Sequence, residues 1–439
     1  HTQNKKELHI SELRKLLITY FRDRTPNDAK AKIASERFIS LIEERTGLLA
    51  ARGEGVYSFS HLTFQEYLTA LEVCGHDNYI STLLKYSGSV WWREVILLAA
   101  GSLSQERVVK LVTALAKKKI EPRPYHNLAL ALECLRDSGI VHEELKNSIN
   151  RRLYRKFNAP LPISVLLLDE TQRLNYKFFR RAEIIQTLSR AGAGYWSGLY
   201  GEPEWVTIPA GEFWMGGGTA AEPFHRVYLP EYLIARVPVT NYQYSLFLKA
   251  TGHRWPDGWE DYRSPRGRDS HPVVCITWQD AISYCDWLSQ MLNKQILLPS
   301  EAEWEKVARG NHDQRMYPWG NTFEEERCNT QELGLSDTTP VGVFPEGVSP
   351  YGALDLIGNV WEWTRSLWGK NIGKAEFAYP YTEHLTEREN LQADLSVRRI
   401  LRGGSWNNDK SDAQCWRRGH EPLSRNDIIG FRILLRISG

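Results

Sequence analysis

GGSWNNDKSDAQCWRRGHEPLSRNDIIGFR, residues Gly403 to Arg432, decides how the rest of the chain is read. Its ends answer to backbone needs. Gly403-Gly404-Ser405-Trp406 reads as a tight turn beside a large aromatic, and Ile429-Gly430-Phe431-Arg432 as the opening of a closing strand. The interior follows neither the two-residue period of a strand nor the 3.6-residue period of a helix. It is dense instead in side chains that touch ligands, and a long irregular segment between rigid ends is how a scaffold presents a binding surface. Trp416, Arg418, His420 and Glu421 are the expected anchors, because tryptophan and arginine carry a disproportionate share of interface energy. Asn408, Asp409, Asp412, Gln414, Ser424 and Asp427 are expected to add adaptable hydrogen bonds.

The surrounding chain has 439 residues, enough for two to four domains, with a net charge of +2. That balance gives no field for nucleic acid, and the basic run Arg151 to Lys156 reads as a solvated helix face. No apolar window of about 18 residues exists, so no membrane partner is expected. Six scattered cysteines without a CxxC pair fit free thiols in a reducing cytoplasm. Of the 16 tryptophans, 14 follow residue 195, and only nine of the 32 glycines precede it. A domain boundary is therefore expected near the joint formed by Ala191 to Gly194 and Trp196 to Gly198.

Beyond the joint the text becomes strands, turns and capped helices. Trp205 to Gly216 reads as a strand and turn, and His225–Leu229 with Tyr232–Ala235 as a strand pair. Thr240/Gln243, Thr277/Asp280 and Ser300/Glu303 have capping-box spacing at three helix starts. The motifs IPAGEFWMG, PVTNYQYSLFL, HPVVCITWQDAISYCDWL, LPSEAEWEKVARG, YPWGN, YGALDLIGNVWEWT and LRGGSW…GFR follow in order from residue 208 to 432. As a set they resemble the formylglycine-generating-enzyme/sulfatase-modifying-factor family, which implies an α+β, C-type-lectin-like domain over residues 196–439. Enzymes of that family bind copper through two cysteines shortly after the GGSW turn. Those positions are Asn408 and Ala413 here, and neither supplies a thiolate. Cys415 alone is a poor copper site. No catalysis and no copper are therefore expected. The HxxxHxE motif of related iron enzymes is missing as well. The resemblance also implies that Arg417 pairs with an internal acid. It further implies a structural calcium ion, held by the side chains of Asp355 and Glu362 and the carbonyls of Gly358 and Val360, a donor set of the hard-oxygen kind this cation takes. RILRGGSWNND followed by IIGFR is similar to the variable region of diversity-generating-retroelement proteins, whose rewritten codons are often those of asparagine. Asn407, Asn408 and Asn426 fit unmutated codons under that resemblance.

The first half is a helical text. Leu8–Arg22 and Ala29–Arg45 read as amphipathic helices, Gly53-Glu54-Gly55 as a hairpin turn, Val56–Phe59 as a short strand and His61–Ala70 as a further helix. With LIEERTGLL (Leu41–Leu49), the string YSFSHLTFQEYL (Tyr57–Leu68) resembles the winged-helix-like end of NACHT-type signalling ATPases, assigned to residues 1–75. Residues 76–195 read as an α-helical connector, with helices at Trp91–Gly101, Arg107–Lys117, Asn127–Leu135 and Glu143–Phe157. No GxxxxGK[ST] loop occurs, so this chain is expected to bind no nucleotide itself. The expected protein is a non-catalytic, cytoplasmic recognition module. Its diversified face would bind a variable protein or other macromolecular ligand and couple to a NACHT ATPase module that lies outside this sequence. A copper oxidase and a fixed sensor or assembly scaffold are the alternatives.

Overall fold

The computed structural model describes residues 7–437 except 23–26, 42–48, 54, 60–61, 121–124, 141, 191–193, 218–222, 266, 382–384 and 422–424. Chain contacts divide it into two compact units, His1–Leu153 and Tyr154–Gly439.

The first unit opens with β1 (Glu7–His9), α1 (Ile10–Arg22), α2 (Asp28–Leu41), β2 (Leu49–Gly53), β3 (Val56–Phe59) and α3 (Leu62–Cys74). The strands form one antiparallel sheet in the order β1-β3-β2, with Glu7 opposite Ser58 and Leu49 opposite Phe59. This is the helix, helix, wing, helix plan read from the sequence, with one difference. The first helix starts at Ile10 because residues 7–9 are taken by the sheet, and Ile10 N donates to Gly55 O at 2.7 Å. His61 and Glu43 to Arg45 lie outside the described residues. A helical stack follows: α4 (Tyr79–Tyr86), α5 (Arg93–Ser102), α6 (Gln105–Lys117), α7 (His126–Asp137) and α8 (Glu143–Phe157), which runs across the boundary after Leu153. Helix α5 packs on α3 and α7, and α6 on α7. Val95, Ile96, Leu111, Leu115, Leu130 and Leu132 are buried in this stack. Arg151, Arg152, Arg155 and Lys156 stand exposed along α8.

The second unit begins with α9 (Ile163–Leu166) and the 21-residue α10 (Glu170–Arg190). Then come β4 (Trp196–Ser197), β5 (Glu202–Pro203), β6 (Trp205–Ile208), β7 (Gly211–Met215), β8 (His225–Leu229), β9 (Tyr232–Ala235), α11 (Asn241–Thr251), α12 (Trp278–Leu292), β10 (Ile296–Leu297) and α13 (Glu301–Arg309). The chain ends through β11 (Trp361–Gly369), α14 (Leu385–Arg388), β12 (Arg398–Arg402), β13 (Arg418–Glu421), β14 (Ile429–Gly430) and β15 (Leu434–Arg436). This is an α+β domain built on two four-stranded sheets, β10-β15-β9-β6 and β13-β12-β11-β14. The strands expected at 225–229 and 232–235 exist but do not pair with each other. β8 pairs with β7, and β9 lies between β6 and β15, so the chain changes sheet at Pro230, which has no N–H to continue a ladder.

All three capping boxes close. Ser300 N donates to Glu303 Oε2 at 2.7 Å while Ser300 Oγ accepts from Glu303 N at 3.1 Å. Thr277 with Asp280 and Thr240 with Gln243 do the same. The boxes fix where α11, α12 and α13 start, and the buried faces of α11 and α12 carry the aromatic core. Tyr244, Phe247, Tyr284 and Trp287 meet there with Trp361, Trp363 and Phe431, ring centroids 5.3–6.5 Å apart for the pairs Tyr244–Phe247 and Tyr244–Phe431.

Candidate functional site

The segment from Gly403 to Arg432 is anchored to a buried layer of charge. Glu301 and Glu305 lie one turn apart on α13, so both carboxylates point off one face. Arg402, the last residue of β12, is fully buried and ion-paired with Glu305. Its remaining donors reach three successive backbone carbonyls: Cys415 O at 2.9 Å, Trp416 O at 2.9 Å and Arg417 O at 3.0 Å. Arg418 is also buried, with Nε 2.6 Å from Glu301 Oε1, and its guanidinium lies over the Trp368 and Tyr379 rings at 5.0 and 4.7 Å. Burial alone would raise the Glu301 carboxyl, but the guanidiniums of Arg418, Arg402 and Arg388 hold it below the usual range.

The two glycines make the turn. Gly403 and Gly404 have φ of 102° and 74°, and a Cβ on Gly403 would come within 2.9 Å of Leu356 O. Beyond them Asn408 acts as a staple. Its Oδ1 accepts from Ser405 Oγ at 2.6 Å and Trp361 Nε1 at 2.8 Å, and its Nδ2 donates to Asp412 Oδ2 at 3.2 Å. More of the hold on this segment is main chain: Gln331 N donates to Asn408 O at 2.9 Å and Cys415 N to Met316 O at 2.8 Å.

The residues expected on the binding face therefore separate. Asp409 and Asp427 are exposed, and Asp412 and Trp416 are partly so. Asp409 closes a local turn through Ser411 N at 2.7 Å. Gln414 is buried. His420 is half-buried and stacks on Trp368 with centroids 4.2 Å apart, and burial pushes its imidazole down. Glu421 is half-buried at the end of β13. Ser424 lies outside the described residues. Arg417 and Arg418 exchange their expected places: Arg418 pairs with the internal acid Glu301, while Arg417 is exposed and meets Asp412 Oδ1 at 2.9 Å. The reason is β13. Residues 418–421 pair with β12, Arg402 opposite Arg418, and that register turns Arg418 inward. The exposed set also includes Asn407, Lys410 and Ser411, which the sequence reading did not name as ligand-binding.

At the positions where copper cysteines were sought, Asn408 is tied as above and the Ala413 side chain is fully buried. The Cys415 thiol is buried too, and burial pushes it up to about 12, so it is protonated at neutral pH.

The Asp355–Glu362 loop packs under the same turn, Gly358 N donating to Gly403 O at 2.8 Å. Asp355 is buried. Its Oδ2 accepts from Gly342 N at 2.6 Å, while Oδ1 has no hydrogen-bond partner among the described residues. Burial, with the Glu362 charge adding to it, pushes this carboxyl up to about 6. Glu362 accepts from Arg432 Nε at 2.6 Å and Nη2 at 2.7 Å, and from Trp304 Nε1 at 2.7 Å. The open oxygen of Asp355 is of the hard kind that a calcium ion takes, whereas both Glu362 oxygens already accept from Arg432 or Trp304. Among the described residues no group of three or more His, Cys, Asp or Glu side chains is placed to hold a metal ion.

Residues 199–437, more than half of the chain, match the sulfatase-modifying factor enzyme 1-like domain. The chain belongs to this family. Residues 1–73 match the winged helix-turn-helix domain C-terminal to NACHT. The family relatives differ in activity by name. A "Formylglycine-generating enzyme" of Thermomonospora curvata is 31% identical over 264 residues, covering 46% of this chain and 82% of that protein. An "Inactive C-alpha-formylglycine-generating enzyme 2" of Bos taurus is 29% identical over 290 residues, covering 52% and 86%. A "Serine/threonine-protein kinase pkn1" of Chlamydia pneumoniae is 33% identical over 255 residues, covering 54% of this chain but only 38% of the kinase, so the match spans well under half of that relative. Among solved structures, "Treponema denticola variable protein 1" overlays 53% of this chain and 95% of its own with a TM-score of 0.42 at 23% identity. No helix among the described residues is long and apolar enough to cross a membrane.

Proposed function

We propose that this sulfatase-modifying-factor-like domain is a non-catalytic receptor whose 403–432 segment binds a protein or other macromolecular ligand, and that the segment is diversified. One observation carries the reading: buried Arg402 holds the carbonyls of Cys415, Trp416 and Arg417. Every residue type supplies a carbonyl, so this anchor tolerates any side chain at Arg417, and the exposed side chains of Asn407, Asp409, Lys410 and Ser411 take no part in it. The ligand-facing set is then these five with Asp412, Trp416 and Asp427, while Asn408 and Arg418 serve the scaffold. The oxidase alternative lacks its chemistry, because Asn408 and Ala413 replace the copper thiolates and Cys415 is a buried thiol. In the same reading a structural calcium ion sits on Asp355 and Glu362 with the carbonyls of Gly358 and Val360, and neutralises the buried Asp355. The winged-helix unit would join the receptor to a NACHT ATPase module, in a reducing cytoplasm that suits six free cysteines.

Sequencing the DNA flanking the gene tests diversification. A near-copy of the codons for Arg402 to Arg432, differing only opposite adenines, is expected. Its absence, with these residues identical in every related copy, turns the reading to a fixed sensor. Turnover of a cysteine peptide in the presence of copper would overturn the non-catalytic assignment.

A further inference from the structure

Away from the 403–432 segment, the second unit contains a cavity of about 620 Å³. That is the size of a small-molecule site, which commonly runs from roughly 300 to 1,000 Å³. One wall is α10, which precedes the family-matched region. The other comes from His271 and the loop from Leu335 to Val343. Tyr176, Phe179 and Glu183 follow one another on α10 at the spacing of a single helix face, and Phe178, on the same wall, packs on Phe344 at 4.9 Å. Phe179 is 61% exposed, which leaves its ring open to a ligand.

The charges are one-sided. No lysine or arginine lines the cavity. The bases next to it are engaged: Lys177 with Glu326 at 2.7 Å, Arg181 with Glu346 at 2.6 Å, Arg268 with the lining residue Asp337, and Arg180 with the carbonyls of Ala159 and Pro160. Asp337 is thereby neutralised, whereas the Glu183 carboxylate makes no ion pair or hydrogen bond with any described residue. His271, whose Nδ1 is 2.9 Å from Thr338 Oγ1, adds no positive charge, because burial pushes its imidazole down to about 4.

We propose that this cavity binds a small amphipathic amine, its apolar body against Phe178, Phe179 and Val343 and its protonated nitrogen between the Tyr176 and Phe179 rings and the Glu183 carboxylate. Aromatic faces attract a cation through their quadrupole, and an unpaired carboxylate adds Coulomb attraction in a partly dry site. A carboxylic acid of the same shape would meet the Glu183 carboxylate and no lysine or arginine in the lining.

Isothermal titration of the full chain with phenethylamine, phenethyl alcohol and phenylacetate separates charge from shape. The amine is expected to bind about tenfold more tightly than the alcohol, and phenylacetate not at all. Glu183→Gln, a near-isosteric change on a partly exposed helix face, should bring the amine down to the alcohol and leave the alcohol unchanged; the retained alcohol affinity reports an intact fold. Equal affinity for all three probes, no binding of the amine, or amine binding unaffected by Glu183→Gln overturns the proposal.

Discussion

The floor and the crown of the 403–432 segment are made of similar residues used in opposite ways. In the floor, Arg402 and Arg418 are fully desolvated, and each meets a carboxylate of α13. In the crown, Arg417 meets Asp412 in solvent, and Asp409 bonds only its own turn. Adjacent arginines therefore differ in worth. A buried charge cannot lose its partner without leaving the other charge uncompensated, whereas an exposed pair exchanges protein for water at little cost. A receptor that varies its ligand contacts needs this separation.

The largest effect should come from the floor. Arg402→Ala leaves Glu305 with Arg309 and Gly216 N but removes its second buried guanidinium and frees three carbonyls, and is expected to cost about 3–5 kcal/mol in urea unfolding; a loss under about 1 kcal/mol would show that the floor does not hold the crown. Removing calcium should come next. If the ion sits on Asp355, chelation lowers the melting temperature by several degrees, and calcium at about a hundred times its Kd restores about 2.7 kcal/mol; an unchanged melting curve means that Arg432 alone satisfies the loop. Asn408→Ala removes the acceptor shared by Trp361 Nε1 and Ser405 Oγ and should cost about 1–3 kcal/mol. That contrasts with Asn407→Ala one residue away, and a tie between them breaks the comparison. Acid should reveal the floor as well. The Glu301 carboxyl is depressed in the folded state, so its contribution is whole above its unfolded value of 4.5 and is lost as pH falls below that. The part of the urea midpoint that depends on this pair, read as the difference between the native chain and Arg418→Met, should hold from neutrality to about pH 5 and then shrink. The smallest effect belongs to the crown: Arg417→Ala should shift stability by no more than about 0.5 kcal/mol.

Local chemistry made much of this legible. The capping boxes rest on contacts three residues apart, so Thr240, Thr277 and Ser300 marked their helices directly. The glycine turn at 403–404 and the strand at 56–59 were readable for the same reason, whereas β2 at 49–53 was not read. What escaped were choices made by distant partners. Strand β13 has no period of its own, because residues 418–421 become a strand only against β12, and that pairing sent Arg418 inward. Helix α10 carries Phe178 and Arg181 for Phe344 and Glu346, residues far along the chain. Nothing near them in sequence announces that role. Glu301 and Glu305 read as ordinary helix surface until the fold lays Arg402 and Arg418 against them.

The place of β15 bears on how the domain is born. It lies between β10 and β9, with Leu434 opposite Ile234. Two strands made much earlier stay without their shared neighbour until residue 436 has left the ribosome. The second unit should thus reach its native state only after nearly all of it has been synthesised, with unpaired strand edges exposed in the interval. A nascent chain arrested before Leu434 is the species a chaperone would find.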